Sequence, residues 1–480
     1  MKVIYQTLVF AALVLSVILC LELLTDGYAS FNLALQGKAV SLAPPFPVRL
    51  RFGLAYLGIH LIYLLWVGRW LKRSKVTSPS EIPLKFFYSA FPRAGFAAVV
   101  RKSLIFLILA FLTYPISTDI YLYLHYGLMG LEGVNPYLVR AGDFASILTP
   151  LLRWFQSSTY GPVSQIFFMG AAALVPFSPL AAVYGFKFLC LLSHLWNGLL
   201  VWHILKESND RESLTLAYVV NPVLLFEQIG AAHVDVFVCT ALLVLIYSVK
   251  QRQYLTAMVA GWLGVLAKTI PILWLPLGIV FLLRRGQWGR LGLAFVIIGG
   301  SIASLTHTLL PTIAAWQSLL NPGVAGKSIN SLQAILHLFL LQSPQVAIPT
   351  RLAIVAQFQL VTLVVCGGYY LFALLKLMMA SKASEDRFIL EMGWVVLLLL
   401  LFATPWLMPW YISVLIPIAI VQPHARRFGS LVLLASFTAS CSYLLIGTGY
   451  LQGAVVVGIP ILVLLFQLLQ PSNQQEYSAR

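Results

Sequence analysis

Acidic residues are scarce in this chain, 15 among 480 positions, so the few that stand beside aromatic or basic residues mark where chemistry is feasible. The first is Asp119, in the stretch LILAFLTYPISTDIYLYLHYGLMGLEGVNPYLV at 107–139. Asp119, Tyr123 and Tyr126 recur at i, i+4 and i+7, which puts a carboxylate and two phenols on one helix face. Leu122, Leu124 and Leu128 are then expected to face lipid, with the carboxylate at the level where lipid-linked phosphates sit. A blander alternative stands beside this one: Ser117, Thr118 or Asp119 can simply cap the helix that follows by accepting from its first amides. His125 pairs with Tyr121 at i, i+4, either as a substrate contact or as an interfacial residue bonded locally.

A second constellation lies in NPVLLFEQIGAAHVDVF, 221–237. Glu227 stands near the end of an apolar run, and His233 and Asp235 at i, i+2 could help hold a metal or steer a phosphate. A solvated turn with Asp235 starting the next helix accounts for the same residues. Lys268 interrupts the apolar GVLAKTIPILWLP. It is placed to snorkel outward or to meet an anionic headgroup from the membrane side. Lys327 in NPGVAGKSIN, with Arg140, Arg153 and Arg351, supplies further cations. ATPWLMPWYI at 403–412 is an aromatic belt that could also stack on a sugar ring.

These side chains need elements to carry them, and the composition says which kind. Hydrophobic residues make up 60% of the chain and charged residues only 10%, with a mean hydropathy of +0.90. A soluble domain is about one quarter charged, so the chain is a membrane protein. Runs such as 3–24, 186–205, 352–378 and 452–469 fit the roughly 20 residues that cross a bilayer. The net charge of +16 does not point to nucleic acid, because Lys and Arg gather in short loops, as cytoplasmic connections require. The largest cluster is Arg69, Lys72, Arg73, Lys75, Lys85, Arg93, Arg101 and Lys102; anionic membrane lipids are the expected partners. Five scattered cysteines with no C-x-x-C spacing suggest neither a disulfide framework nor a zinc site. The first apolar segment reads as a retained anchor.

With the basic loops inside, the chain threads as an all-α polytopic protein of about 13–14 transmembrane helices. Apolar 162–177 is kept outside, because counting it as a span would invert every basic loop downstream. Residues 119–178 therefore form one long external loop with interfacial helices, and 311–350 a second. The division expected is 1–102 (two helices and the basic loop), 103–423 (the core with both external loops) and 424–480 (a final hairpin and short tail). Asp26, Asp119, Glu132, Asp143, Glu227 and Asp235 then all fall at the outer face. A transporter or flippase of a lipid-linked or amphipathic substrate should instead show inverted repeats and polar residues near the midplane, and neither is found. A scaffold subunit would not require Asp119.

STDIYLYLHYGLMGLEGVNPY, STYGPVSQ, NPVLLFEQIGAAHVD, LAKTIPILWLP and ATPWLMPWY follow the order seen in integral-membrane glycosyltransferases of the GT-C superfamily. Over about 100–420 the chain most resembles the bacterial polyprenol-phosphate-mannose-dependent mannosyltransferases. The resemblance implies transfer of a hexose, most often mannose, from a polyprenyl-phosphate donor to a lipid or glycan acceptor, with inversion, at the outer face of a bacterial inner membrane. It implies Asp119 as general base and cations on the departing phosphate, Lys268 first, then Lys327 or Arg351. Tyr123, His125, Tyr160, His233 and Asp235 would contact donor or acceptor, and Asp143 would match the family's other external acid. No compact carboxylate cluster occurs within one loop, so no metal or other cofactor is expected.

Overall fold

The computed structural model describes residues 2–38, 45–73, 95–320, 327–343, 345–380 and 384–470; most of the expected basic loop, 74–94, lies outside the described residues. Among these the regular structure is helical, apart from one isolated parallel bridge between Ile329 and Trp406. The N-terminal part comprises α1 (Lys2–Leu35), α2 (Phe46–Arg73), α3 (Gly95–Leu112), α4 (Asp119–Leu131), α5 (Pro162–Ala172) and α6 (Pro179–Ile204). The middle holds α7 (Arg211–Val219), α8 (Asp235–Lys250), α9 (Tyr254–Ala267), α10 (Trp274–Arg284), α11 (Trp288–His307) and α12 (Ile313–Leu320). The C-terminal part holds α13 (Leu332–Leu341), α14 (Ile348–Met379), α15 (Glu385–Leu398), α16 (Pro409–Ser413), α17 (Ile416–Val421), α18 (Arg426–Ser440) and α19 (Ile459–Leu469).

Proline and polar caps set the breaks that matter. α3 stops three residues before Pro115, whose ring cannot continue a helical hydrogen-bond ladder, and the chain restarts as α4 at Asp119. After α7, Asn221 accepts from the amides of Val223 and Leu224 at 3.0 and 3.2 Å, and the chain resumes as a π-helical segment, Leu224–Gly230, bent by 50°. α6 and α15 begin with Ser178 and Ser384, each accepting a first-turn amide, as N-cap serines do. Pro417, lacking an amide proton, lies where α16 gives way to α17, so 410–422 is a broken pair and not one span.

Eight helices among the described residues are long and apolar enough to cross a membrane, or nine with α7 and the π segment taken as one bent span. This is fewer than the expected 13–14. The difference lies in stretches that are helical but short, such as α8, α9 and α10, or interrupted, as at α15–Leu399–Ala403 and α16–α17. α5 has 11 residues, a rise of about 16 Å, and so is too short to span.

One feature of α4 departs from expectation. Leu122, Leu124 and Leu128 do not face lipid; they are buried in protein, as is every residue from Ile120 to Met129. α5 lies across α4 so closely that a Cβ on Gly127 would stand 2.3 Å from the Phe168 carbonyl oxygen. α1 closes the other side, with Phe31 stacked on Tyr121 at 5.9 Å. α4 is an internal helix, not an interfacial one. Away from it, Lys250 pairs with Asp386 at 2.8 Å and Arg285 with Glu385 at 3.5 Å, and Lys102 pairs with Glu212. Each pair joins segments that charge alone assigns to the inner face.

Candidate active site

Asp119 opens α4 without capping it through its own carboxylate: Thr118 makes no side-chain cap, and Ser117 Oγ accepts the Asp119 amide at 3.2 Å. Of the three residues that could accept a first-turn amide it is Ser117 that does so, and the carboxylate is left for other partners. Those partners come from distant segments. His233 Nδ1 stands 3.9 Å from one Asp119 oxygen, and His233 Nε2 stands 3.6 Å from a Glu227 oxygen. The imidazole is fully buried, stacks on Trp410 with centroids 3.8 Å apart, and has no hydrogen-bond partner on either nitrogen.

Glu227 is placed by the π segment, which turns its side chain into the interior, where the Tyr443 hydroxyl lies 3.0 Å from both carboxylate oxygens. His233 is aimed by Ala232, which adopts φ +58. A left-handed alanine costs about 1–2 kcal/mol, and such strain persists only where the surroundings enforce it. Here the His233 amide donates to the Glu227 carbonyl at 2.9 Å. On the other flank Lys268 Nζ donates to both Asp235 oxygens at 2.9 Å and sits 4.5 Å from the centre of the Tyr411 ring.

An aromatic box closes the site. Tyr123 stacks on Phe168 at 4.9 Å and meets Tyr160 edge-on at 5.0 Å, with the two hydroxyls 3.4 Å apart. Tyr160 is brought in by Gly161, where a Cβ would lie 2.1 Å from the Leu266 carbonyl oxygen; only glycine allows the loop to approach α9 so closely. Little of the cluster reaches the surface. Side-chain exposure is 16% for Asp119 and 16% for Lys268, but 1% for Asp235 and 0% for Glu227 and His233.

Burial dominates the electrostatics. It lifts the Asp119 carboxyl to about 6, with Asp235 adding to the rise and Lys268 and Ser117 opposing it. His233 is pushed well down, first by burial and then by the Lys268 charge, so the imidazole is neutral. A carboxyl poised near neutrality beside a cation suits proton transfer coupled to the stabilisation of an anion. Among the described residues no group of three or more His, Cys, Asp and Glu is arranged to hold a metal ion.

The structure thus gathers Asp119, Tyr123, Tyr160, His233, Asp235 and Lys268 from the residues expected in the site. It does not bring in the others. His125 is buried with both ring nitrogens bonded to loop atoms, Ser146 Oγ at 2.9 Å and the Ala141 carbonyl at 3.0 Å. It pins the loop that follows α4 and has no nitrogen left for a substrate. Asp143 lies exposed in a 3-10 turn, Ala141–Asp143, outside the cluster. Lys327 sits over the Trp154 ring at 4.2 Å, and Arg351 is engaged by the carbonyls of Val346 and Ser343.

Trp410, a platform for His233, and Tyr411, beneath Lys268, come from the aromatic belt at 403–412; the contributors that escaped the sequence reading are Tyr443 and Lys187. The last is buried inside α6, where Nζ bonds the carbonyls of Thr113 and Gly230, the latter at 2.9 Å. It ties the end of α3 to the π segment, so the two backbones that present Asp119 and His233 share one fastening. A lysine within an apolar run was the available signal; Tyr443 offered none.

Residues 16–284 match the family model described as alpha-(1->6)-mannopyranosyltransferase, N-terminal domain. No curated protein matches the chain. The matched range spans more than half of the 480 residues and contains Asp119, Glu227, His233, Asp235 and Lys268, the polar heart of the site, on a helical membrane protein. This chain is a membrane glycosyltransferase, and it belongs to the alpha-(1->6)-mannopyranosyltransferase family.

Proposed function

We propose that the enzyme moves a mannosyl residue from a polyprenyl-phosphate donor to a lipid or glycan acceptor, with inversion, on the outer face of a bacterial inner membrane. The observation that carries this reading is the identity of the two polar groups at the opening. Of the clustered acids Asp119 has exposed side-chain surface, and Lys268 is the cation beside it. Asp119 takes the proton from the acceptor hydroxyl as its oxygen attacks the anomeric carbon. The bond to the donor phosphate breaks on the opposite face. That phosphate needs no protonation to leave, but it does need a cation. Lys268 has a third ammonium proton beyond the two given to Asp235.

We read the transfer as metal-independent. Both oxygens of Asp235, the carboxylate nearest Lys268, are already bonded to it. Tyr123 and Tyr160 frame the sugar. Incubating purified protein with polyprenyl-phosphate mannose and candidate acceptors, followed by mass spectrometry of the products, tests the assignment. Asp119→Asn is expected to lower kcat by about 10²–10⁴-fold, the usual range for a general base, with donor binding retained. Unchanged transfer by this variant would falsify the base assignment.

A further inference from the structure

Lys187 is fixed inside a membrane-spanning helix, and the transfer as described does not use it. Its hydrogen-bond partners are backbone carbonyls, those of Thr113, of Gly230 at 2.9 Å and of Ala110 at 3.4 Å, with no acid among them. Ala110 and Thr113 lie at the end of α3, and Gly230 closes the π segment. Both are helix ends, where the last carbonyls have no intrahelical amide to accept from. Pro115, two residues past Thr113, has no amide to offer them. One side chain therefore serves two helix ends at once, in an interior where an unbonded carbonyl is costly. The same helix, α6, makes two neighbouring bonds of the same kind. The Tyr184 hydroxyl donates to the Leu112 carbonyl at 3.0 Å, and Asn197 Nδ2 donates to the Val236 carbonyl of α8 at 3.2 Å.

The two helix ends lead to the two groups at the opening. From Thr113 the chain reaches Asp119 in six residues (119 − 113), and that turn is held by the Tyr114 hydroxyl, 3.0 Å from the Tyr121 hydroxyl on α4. From Gly230 it reaches Asp235 in five (235 − 230). This second turn is closed by the amides of Ala231 and His233, which donate to the carbonyls of Phe226 and Glu227. Both Asp235 oxygens then hold Lys268. We infer that Lys187 is a positioning residue for the transfer: its bonds to these two helix ends set the separation between Asp119 and Lys268.

The inference rests on Asp119 as the base and Lys268 as the cation of the departing phosphate. Inversion puts the incoming oxygen and the leaving phosphate on opposite faces of the anomeric carbon, so base and cation must stand on either side of one sugar ring. Rate depends steeply on such placement; an error of about 1 Å can cost about 10²-fold. Lys187 is fully buried and bonds no side chain of the site, which leaves the backbone as its means of acting. α6 is suited to be the common reference. Phe186, beside Lys187, meets Tyr123 of α4 at 5.7 Å and Phe237 of α8 at 6.1 Å, so the helix that fixes both ends also packs against the elements they lead to.

The test is a double-mutant cycle on purified enzyme with polyprenyl-phosphate mannose and saturating acceptor. Lys187→Met, close to lysine in length but without a donor, is expected to lower kcat about 10- to 100-fold and leave the donor KM within twofold. In the Asp119→Asn background the same substitution should cost less than about threefold more, because a residue that acts by placing the base has nothing left to place. Tyr184→Phe frees the Leu112 carbonyl but leaves the π segment joined to α3; it should lower the unfolding midpoint and keep kcat within about twofold. Should Lys187→Met fail to fold, Lys187→Gln carries the test. Two amide N–H groups remain in that variant, so kcat should fall less, with KM again unmoved. Wild-type kcat in a folded Lys187 variant would overturn the positioning role, as would a loss confined to KM or losses that multiply with those of Asp119→Asn. Full transfer by Asp119→Asn alone would instead overturn the base on which the inference rests.

Discussion

Burial holds the Asp119 carboxyl at about 6, and two opposite consequences follow from that one residue. The base must be ionised to act, so kcat/KM should fall about tenfold per pH unit as pH drops below 6, and level off above it. Stability runs the other way. An aspartate whose folded-state pKa exceeds its unfolded value destabilises the fold when ionised, a cost absent below about pH 4 and complete above about 6. Asp119→Asn should therefore raise the unfolding midpoint at pH 7.5, by up to about 3 kcal/mol, and lose that gain near pH 4; thermal scans in detergent at the two pH values check it. At this scale Asp119, His233, Asp235 and Lys268 were legible, because a charge at the edge of an apolar run is costly and so informative. The partners taken by Tyr443 and Trp410 were not. The two residues approach Glu227 and His233 across 216 and 177 positions (443 − 227 and 410 − 233), and an aromatic residue in an apolar run looks the same whether it packs or presents a face.

Helix α4 shows why elements were harder to read than residues. Leu124, Leu128 and Leu131 share a helix face at i, i+4 and i+7, while Leu122 lies on the other side, beside Asp119; periodicity also cannot separate a face covered by lipid from one covered by protein. The distinguishing sign was glycine, since Gly127 lets α5 cross with its backbone almost in contact. Gly127→Val should push the two helices apart and destabilise the protein by about 1–3 kcal/mol, the typical cost of overpacking. The Tyr123–Phe168 stack would part with them, so a lower unfolding midpoint should accompany a raised donor KM. Leu122→Val, which removes one methylene from the same helix, should lower the midpoint without touching KM. The breaks at Pro115, Asn221–Pro222 and Pro417 each carry a proline, but a reading by hydropathy runs straight through them. The π segment at Glu227 was not legible, since an i→i+5 turn has no composition of its own.

For the molecule as a whole, the segregation of charge was the most readable property. Acids expected at one face, Asp119, Glu227 and Asp235, do converge, and the basic segments expected at the other are joined by Lys250–Asp386, Arg285–Glu385 and Lys102–Glu212. The helix count was less readable, because broken and short helices pass for spans when hydropathy alone is averaged. Reporter tags in 69–102 should read as cytoplasmic and tags in 119–178 as external; the reverse pattern would place the site on the wrong side for a donor presented outside. The meeting of Tyr443 with Glu227 also sets an order in time. Translation proceeds at about 5–20 residues per second, so Glu227 leaves the ribosome roughly 10–40 s before the phenol that receives it. Until the last hairpin inserts, that carboxylate lacks the phenol that lies 3.0 Å from both its oxygens, so the N-terminal part of the chain cannot by itself complete the surroundings of Glu227.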